Sequence, residues 1–164
     1  MRKYVIPVLM LVFAGALQGN IPSWMVIKGA RPDLILVVLI TIALGLDPGA
    51  GAVLGFLAGL IHGSIVGVSL GSFIASCTII GFAAGFVTIR MFSENPIVPV
   101  IVAGVLTFAG EIMFLLTNPV AGFLVSLNIV LFKTLYNSLL TLILFWVIRW
   151  IQIRRKIKMA AARL

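Results

Sequence analysis

Residues 51–71 of the chain read GAVLGFLAGLIHGSIVGVSLG, an almost wholly apolar run in which glycine recurs at every fourth position. The glycines at this spacing are Gly51, Gly55, Gly59, Gly63, Gly67 and Gly71. In water the run is a poor helix, because each interior glycine costs about 0.5–1 kcal/mol relative to alanine. In lipid the backbone must satisfy its own hydrogen bonds, which drives an apolar run into a helix. A face without side chains lets another backbone approach closely, so the run predicts a membrane helix that packs tightly.

The composition of the whole chain extends this prediction. Of its 164 residues, 62% are hydrophobic and only 10% are charged, whereas a soluble domain carries about 25% charged residues. At about 20 residues per span, the length allows five or six membrane helices. We therefore predict an all-α integral membrane protein, a compact bundle of six transmembrane helices that forms a single domain over residues 1–164.

Turn residues and polar breaks divide the chain into six hydrophobic segments. The approximate spans are 4–19, 33–46, 50–65, 69–89, 97–116 and 123–150, followed by a basic tail at 151–164. The second span is short for a membrane crossing. Asp47 is interpreted as a turn residue before the third span, and Asn118-Pro119 as the turn after the fifth. The first segment also resembles a secretory signal, although we favour a helix that stays in the bundle.

The basic residues predict how the bundle is oriented. The chain has 12 Lys and Arg against 4 Asp and Glu, a net charge of +8. Because the basic residues cluster at the ends of apolar runs, topology and anionic lipid explain them better than nucleic acid does. With six spans, one side collects Arg2, Lys3, Arg90, Arg149, Arg154, Arg155, Lys156, Lys158 and Arg163, and the other side holds Lys28 and Arg31. This bias predicts cytoplasmic termini and a tail that binds anionic lipids.

Two ionisable residues lie well inside predicted spans. Glu111 is in the fifth and Lys133 in the sixth, at similar depths of consecutive antiparallel helices. A charge at membrane depth costs about 2.5–3.5 kcal/mol, which favours pairing of the two. The expected polar network also contains Asn137, one helical turn after Lys133. The alternative is that the two charged groups separately reach the interface or line a wet crevice.

The opening of the second span, Arg31-Pro32-Asp33, is either a helix cap or a partner contact. Pro32 suits a first helical turn, and Asp33 suits a cap at the positive end of the helix dipole. Arg31 is expected to pair with Asp33 or to meet lipid headgroups. His62 has no second histidine or cysteine pair to complete a metal site, so packing or hydrogen bonding is favoured over a proton relay. No catalytic, cofactor or metal motif is found, and the sequence predicts a protein that is not an enzyme.

The glycine pattern continues on the fourth span with Gly81 and Gly85. We expect residues 51–63 of the ladder to lie on one helix, and the last two glycines to serve the link into the next. A four-residue spacing drifts by about 40° per step around a helix of 3.6 residues per turn. The ladder is therefore expected to pack partly against Gly81 and Gly85 and partly against another neighbour, including a partner's transmembrane helix.

Two long stretches resemble the bacterial MreD family of rod shape-determining proteins. They are RPDLILVVLITIALGLDPGAGAVLGFLAGLIHG at 31–63 and GVSLGSFIASCTIIGFAAGF at 67–86. Like members of that family, the chain has a Pro-Asp pair opening an aliphatic helix, then a turn, a G-x-x-x-G-F-x-x-G-L helix and a Leu-Gly link. The charge-poor layout with basic termini is also similar. The chain departs from the family at His62, where an Asp is usual, so a role for an acid at that position does not carry over.

The resemblance implies a non-enzymatic scaffold of the cell-wall elongation machinery in the bacterial inner membrane. Its implied partner is MreC, a periplasmic coiled-coil protein with one transmembrane helix. Through MreC it would connect indirectly to MreB filaments, RodA and a penicillin-binding transpeptidase; a homodimer is a further possibility. The alternative is a substrate-binding subunit of an energy-coupling-factor vitamin transporter, with a polar pocket on its outer side.

Overall fold

A computed structural model describes residues 2–67, 69–91, 97–117 and 123–161. The described chain is helical, with six α-helices and a short 3₁₀ turn, Ser23–Met25, between the first two. The helices are α1 (Arg2–Gln18), α2 (Leu34–Ala43), α3 (Pro48–Val66), α4 (Leu70–Met91), α5 (Ile97–Thr117) and α6 (Phe123–Ala161). The six predicted helices are therefore present, in the predicted order.

Four of the helices are long and apolar enough to cross a membrane. The qualifying segments are Pro48–Val66, Leu70–Val87, Ile97–Thr117 and Leu127–Ile148. The apolar parts of the first two helices, Val5–Gln18 and Leu34–Ala43, are shorter. The six helices therefore divide into four of full spanning length and two short ones.

Two predicted boundaries differ from the structure by more than two residues. α2 ends three residues before position 46, and α6 continues through the first part of the predicted tail to Ala161. The predicted turn at Asn118-Pro119 lies outside the described residues, as does Arg163. The basic side chains at 2, 3, 90, 149, 154, 155, 156 and 158 also lie outside them.

α2 is the central helix of the bundle. It spans only 10 residues, about 15 Å, yet it contacts each of the other five helices. Ile35, Leu39 and Ile40 are completely buried. Its sequence is apolar on all faces, which is the pattern of a helix enclosed by others. α2 is short because it fills the interior of the bundle.

α3 and α4 form the most extensive helix–helix contact, and the glycine ladder is its seam. A Cβ atom added at Gly51 would meet the carbonyl oxygen of Gly81, and one added at Gly59 would lie 2.5 Å from Ile74 Cα. Cβ atoms on Gly55 and Gly63 would likewise meet backbone atoms of α4. All four glycines of residues 51–63 face α4, and Gly51 also meets α2, where its added Cβ would lie 3.7 Å from Ala43 Cβ, so the expected second neighbour is a helix of the same bundle. Contact of the ladder with a partner's helix stays a prediction.

The two ends of α3 are capped by Asp47 and Gly67, which the sequence predicts to lie in turns or links. Asp47 is more than a turn residue: its Oδ1 accepts a hydrogen bond from Ala50 N at 2.9 Å, and Pro48 stands in the first helical turn. At the other end Gly67 adopts the left-handed conformation, with φ 75°, and its N–H donates to Gly63 O. Only glycine takes this conformation without strain, so Gly67 ends the helix.

Candidate functional site: a charged cluster that lines a cavity

The site is built around the first residues of α2. Asp33 is the N-cap of this helix, and its Oδ1 accepts a hydrogen bond from Leu36 N at 3.0 Å. The capping role expected from the sequence is thus present. Pro32 is buried, but it precedes the cap, so its predicted place in the first helical turn is wrong.

Side chains from α1 and α6 hold this helix start in place. Gln18 Oε1 accepts from Leu34 N at 2.7 Å, and its Nε2 donates to Pro32 O at 3.1 Å. The completely buried Asn137 accepts from Asp33 N through Oδ1 at 2.9 Å. Sequence reasoning missed Gln18, although a lone amide at the end of an apolar segment was the available signal. A helix start in an apolar interior has no water for its N–H groups, so these side chains supply the acceptors.

Four ionisable side chains meet at the start of α2, and we call Asp33, His62, Glu111 and Lys133 the charged cluster. Lys133 Nζ lies 2.5 Å from Glu111 Oε1 and 3.4 Å from Asp33 Oδ2. His62 Nε2 lies 3.6 Å from the same Asp33 oxygen. All four side chains are largely buried, with Glu111 and Lys133 at 18% and 19% exposure. The cluster ties α2, α3, α5 and α6 together.

The structure brings Glu111 and Lys133 into the ion pair that their depths predicted. It adds Asp33 and His62, which the sequence left as a cap and a packing residue. Asn137 joins this network through the backbone of Asp33. Arg31 is exposed, and the described residues show no ion pair between it and Asp33, because Lys133 and His62 occupy that carboxylate.

His62 is also packed, as its position among glycines suggested. Its ring lies 4.3 Å from that of Phe73, which in turn lies 4.7 Å from Phe114. The histidine is 6% exposed, and its Nδ1 has no hydrogen-bond partner among the described residues. A buried polar atom without a partner is costly, and Nδ2 of Asn137 is a second such atom in this network, so the described residues leave polar groups at the site unsatisfied.

A cavity of about 520 Å³ lies over the charged cluster. All four residues of the cluster line it, together with Arg31, Gln18 and the aromatic pair Phe73 and Phe114. Its exposed lining residues include Gly19, Ile65 and Val66, at the ends of α1 and α3. The volume is within the range of small-molecule sites, about 300–1,000 Å³. Across the described residues, no group of three or more His, Cys, Asp or Glu is placed to hold a metal ion.

The predicted docking glycines lie away from this cavity. Gly81 faces Gly51 and Gly55, and Gly85 would place a Cβ 2.8 Å from Pro48 Cα. Both are buried, like the four ladder glycines of α3. α4 therefore occupies the face that was expected to receive a partner helix.

Replacing Asn137 should destabilise the fold measurably. Asn137→Ala removes the acceptor for Asp33 N and leaves that N–H buried and unpaired, at a cost of about 1–2 kcal/mol. Ser138→Ala is the matched control, because Ser138 Oγ donates only to Thr134 O in its own helix. Detergent-titration unfolding measures both; equal stabilities would show that α2 does not need this acceptor.

An all-helical fold with long apolar helices and ionisable side chains enclosed between them defines an integral membrane protein. The chain matches the family described as rod shape-determining protein MreD over residues 1–154. It therefore belongs to that family, whose members act in determining rod shape and are not known as enzymes. A search of curated proteins and a search of solved structures gave no match.

Proposed function

We propose that this protein is a non-enzymatic scaffold of the cell-wall elongation machinery and that it binds MreC. The observation that carries the proposal is the family match, which covers residues 1–154. Through MreC the scaffold reaches MreB, RodA and a penicillin-binding transpeptidase. The interior of the bundle supports a structural role, since its polar groups tie helices to one another.

Affinity purification of the tagged protein from native membranes tests this function. Mass spectrometry should find MreC as a stoichiometric partner, and the elongation enzymes at lower yield. A second copy of this chain in place of MreC would indicate a homodimer. Absence of MreC under conditions that keep the protein folded would contradict the proposal.

The proposed topology has six spans in the bacterial inner membrane, with both termini in the cytoplasm. Nine basic residues on the side of the termini against two on the other support it. The short helices α1 and α2 cross within the bundle, where α2 is enclosed by its neighbours. Under this topology the basic tail faces the anionic cytoplasmic leaflet, and the cavity opens on the opposite side.

Reporter fusions measure this topology. A fluorescent protein at the C-terminus should fluoresce, and an alkaline phosphatase inserted after Trp24, which is 79% exposed, should be active outside. An inactive phosphatase at Trp24 together with an active one at the C-terminus would reverse the orientation.

A second candidate function is a vitamin-binding subunit of an energy-coupling-factor transporter. The observation in its favour is the polar cavity of about 520 Å³. The family match favours the scaffold. A thermal-shift screen of vitamins on the purified protein separates the two, because a scaffold gains no stability from a vitamin.

A further inference from the structure

We propose that the cavity binds a small zwitterionic group, with a primary ammonium beside the charged cluster and a phosphate or carboxylate at Arg31. This binding site is additional to the scaffold function and does not depend on it. The arrangement of charge along the cavity carries the inference.

The inner wall of the cavity favours a cation. It holds two carboxylates, those of Asp33 and Glu111, against one ammonium, that of Lys133, and it also contains the imidazole of His62. The Asp33 carboxylate is surrounded by chain partners, but Glu111 meets Lys133 through Oε1 alone and is partly exposed. An ammonium group has three hydrogen-bond donors and no acceptor, so it suits a wall with an excess of carboxylate oxygens.

His62 is an independent sign of an occupant. It lines the cavity and is more than nine-tenths buried, and its Nδ1 has no partner in the described structure. Nε2 of the same ring faces the Asp33 carboxylate at 3.6 Å, so Nδ1 is the ring atom that lacks a partner. The cavity lining therefore includes a buried polar atom for which the described residues supply no partner.

The exposed part of the lining favours an anion. Arg31 is exposed, lines the cavity and forms no ion pair within the described residues. Its guanidinium matches the geometry of phosphate and carboxylate oxygens. A ligand with both charges is thus held in one direction, ammonium inward and anion outward. This chemistry belongs both to a free solute, such as phosphoethanolamine, and to the headgroup of phosphatidylethanolamine.

Calorimetric titration of the full chain in phosphatidylcholine nanodiscs tests the site with phosphoethanolamine, inorganic phosphate and ethanolamine. Phosphoethanolamine should bind at least about tenfold more tightly than either half, since each charged hydrogen bond adds about that factor. For the lipid source, native mass spectrometry of mixed nanodiscs should show phosphatidylethanolamine retained over phosphatidylcholine. Either source supports the site. The proposal is overturned if neither phosphoethanolamine nor phosphatidylethanolamine binds. It is also overturned if inorganic phosphate binds as tightly as phosphoethanolamine.

Variants locate the binding. Arg31→Ala and Glu111→Gln should each weaken it about tenfold. Lys28→Ala and Asp47→Asn are matched controls, because neither residue lines the cavity. Because Arg31 is exposed, Arg31→Ala should fold normally. This variant therefore tests the proposal even if Glu111→Gln fails to fold. If Arg31→Ala binds phosphoethanolamine as tightly as the unchanged protein, the proposal is overturned. The scaffold function is tested separately, by co-purification of MreC.

Discussion

Asp33→Ala should destabilise the protein by about 2–4 kcal/mol: about 1 kcal/mol for the lost helix cap and about 1–3 kcal/mol for the lost buried carboxylate, because Lys133 keeps Glu111 as a partner. The substitution removes the cap of Leu36 N and leaves Lys133 and His62 without their shared carboxylate. Asp33→Asn restores a good cap, so it should recover about 1 kcal/mol and no more. The free energy of unfolding of the unchanged protein and of both variants is measured by detergent titration, with circular dichroism as the signal.

Asp47→Ala is the matched control for this prediction. Asp47 also caps a helix, but it is exposed and forms no ion pair among the described residues. Its loss should cost only the cap, about 1 kcal/mol. If Asp33→Ala costs no more than Asp47→Ala, the charged cluster adds nothing to stability.

Gly55→Ala should cost about 1–3 kcal/mol, and Gly55→Leu should prevent α3 and α4 from packing. An added Cβ meets backbone atoms of Cys77 and lies 2.8 Å from Thr78 Cα. Backbone atoms cannot turn aside as a flexible side chain can, so the two helices must separate. The yield of folded protein and its unfolding temperature measure the effect.

Gly71→Ala separates this packing effect from a general effect of losing glycine. Nothing lies within 4 Å of a Cβ at Gly71, so alanine there should stabilise the helix by about 0.4–1 kcal/mol. Recovery of MreC by Gly55→Ala also tests the role of the seam. A folded Gly55→Ala protein that loses MreC would place the partner at the seam, against the internal packing seen here.

Much of this protein follows from local sequence. The six apolar segments predict six helices, because the bilayer and its apolar interior leave the backbone no other partner. Glu111 and Lys133 could be paired from depth alone, since each is isolated in an apolar span and consecutive helices run antiparallel. The cap at Asp33 also needs only residues three positions apart.

Other features depend on which helices become neighbours. The sequence predicts that the glycine ladder packs against more than one neighbour. In the structure α4 covers Gly51, Gly55, Gly59 and Gly63. In the sequence Asp33 and His62 are separate local features, yet His62 and Lys133 both meet Asp33, because α2 contacts both α3 and α6. Short-range patterns fix helices, caps and depth, which depend on nearby residues and on the lipid. Only the tertiary structure decides the enclosure of α2, and with it the charged cluster and the cavity, because these require contacts between distant segments.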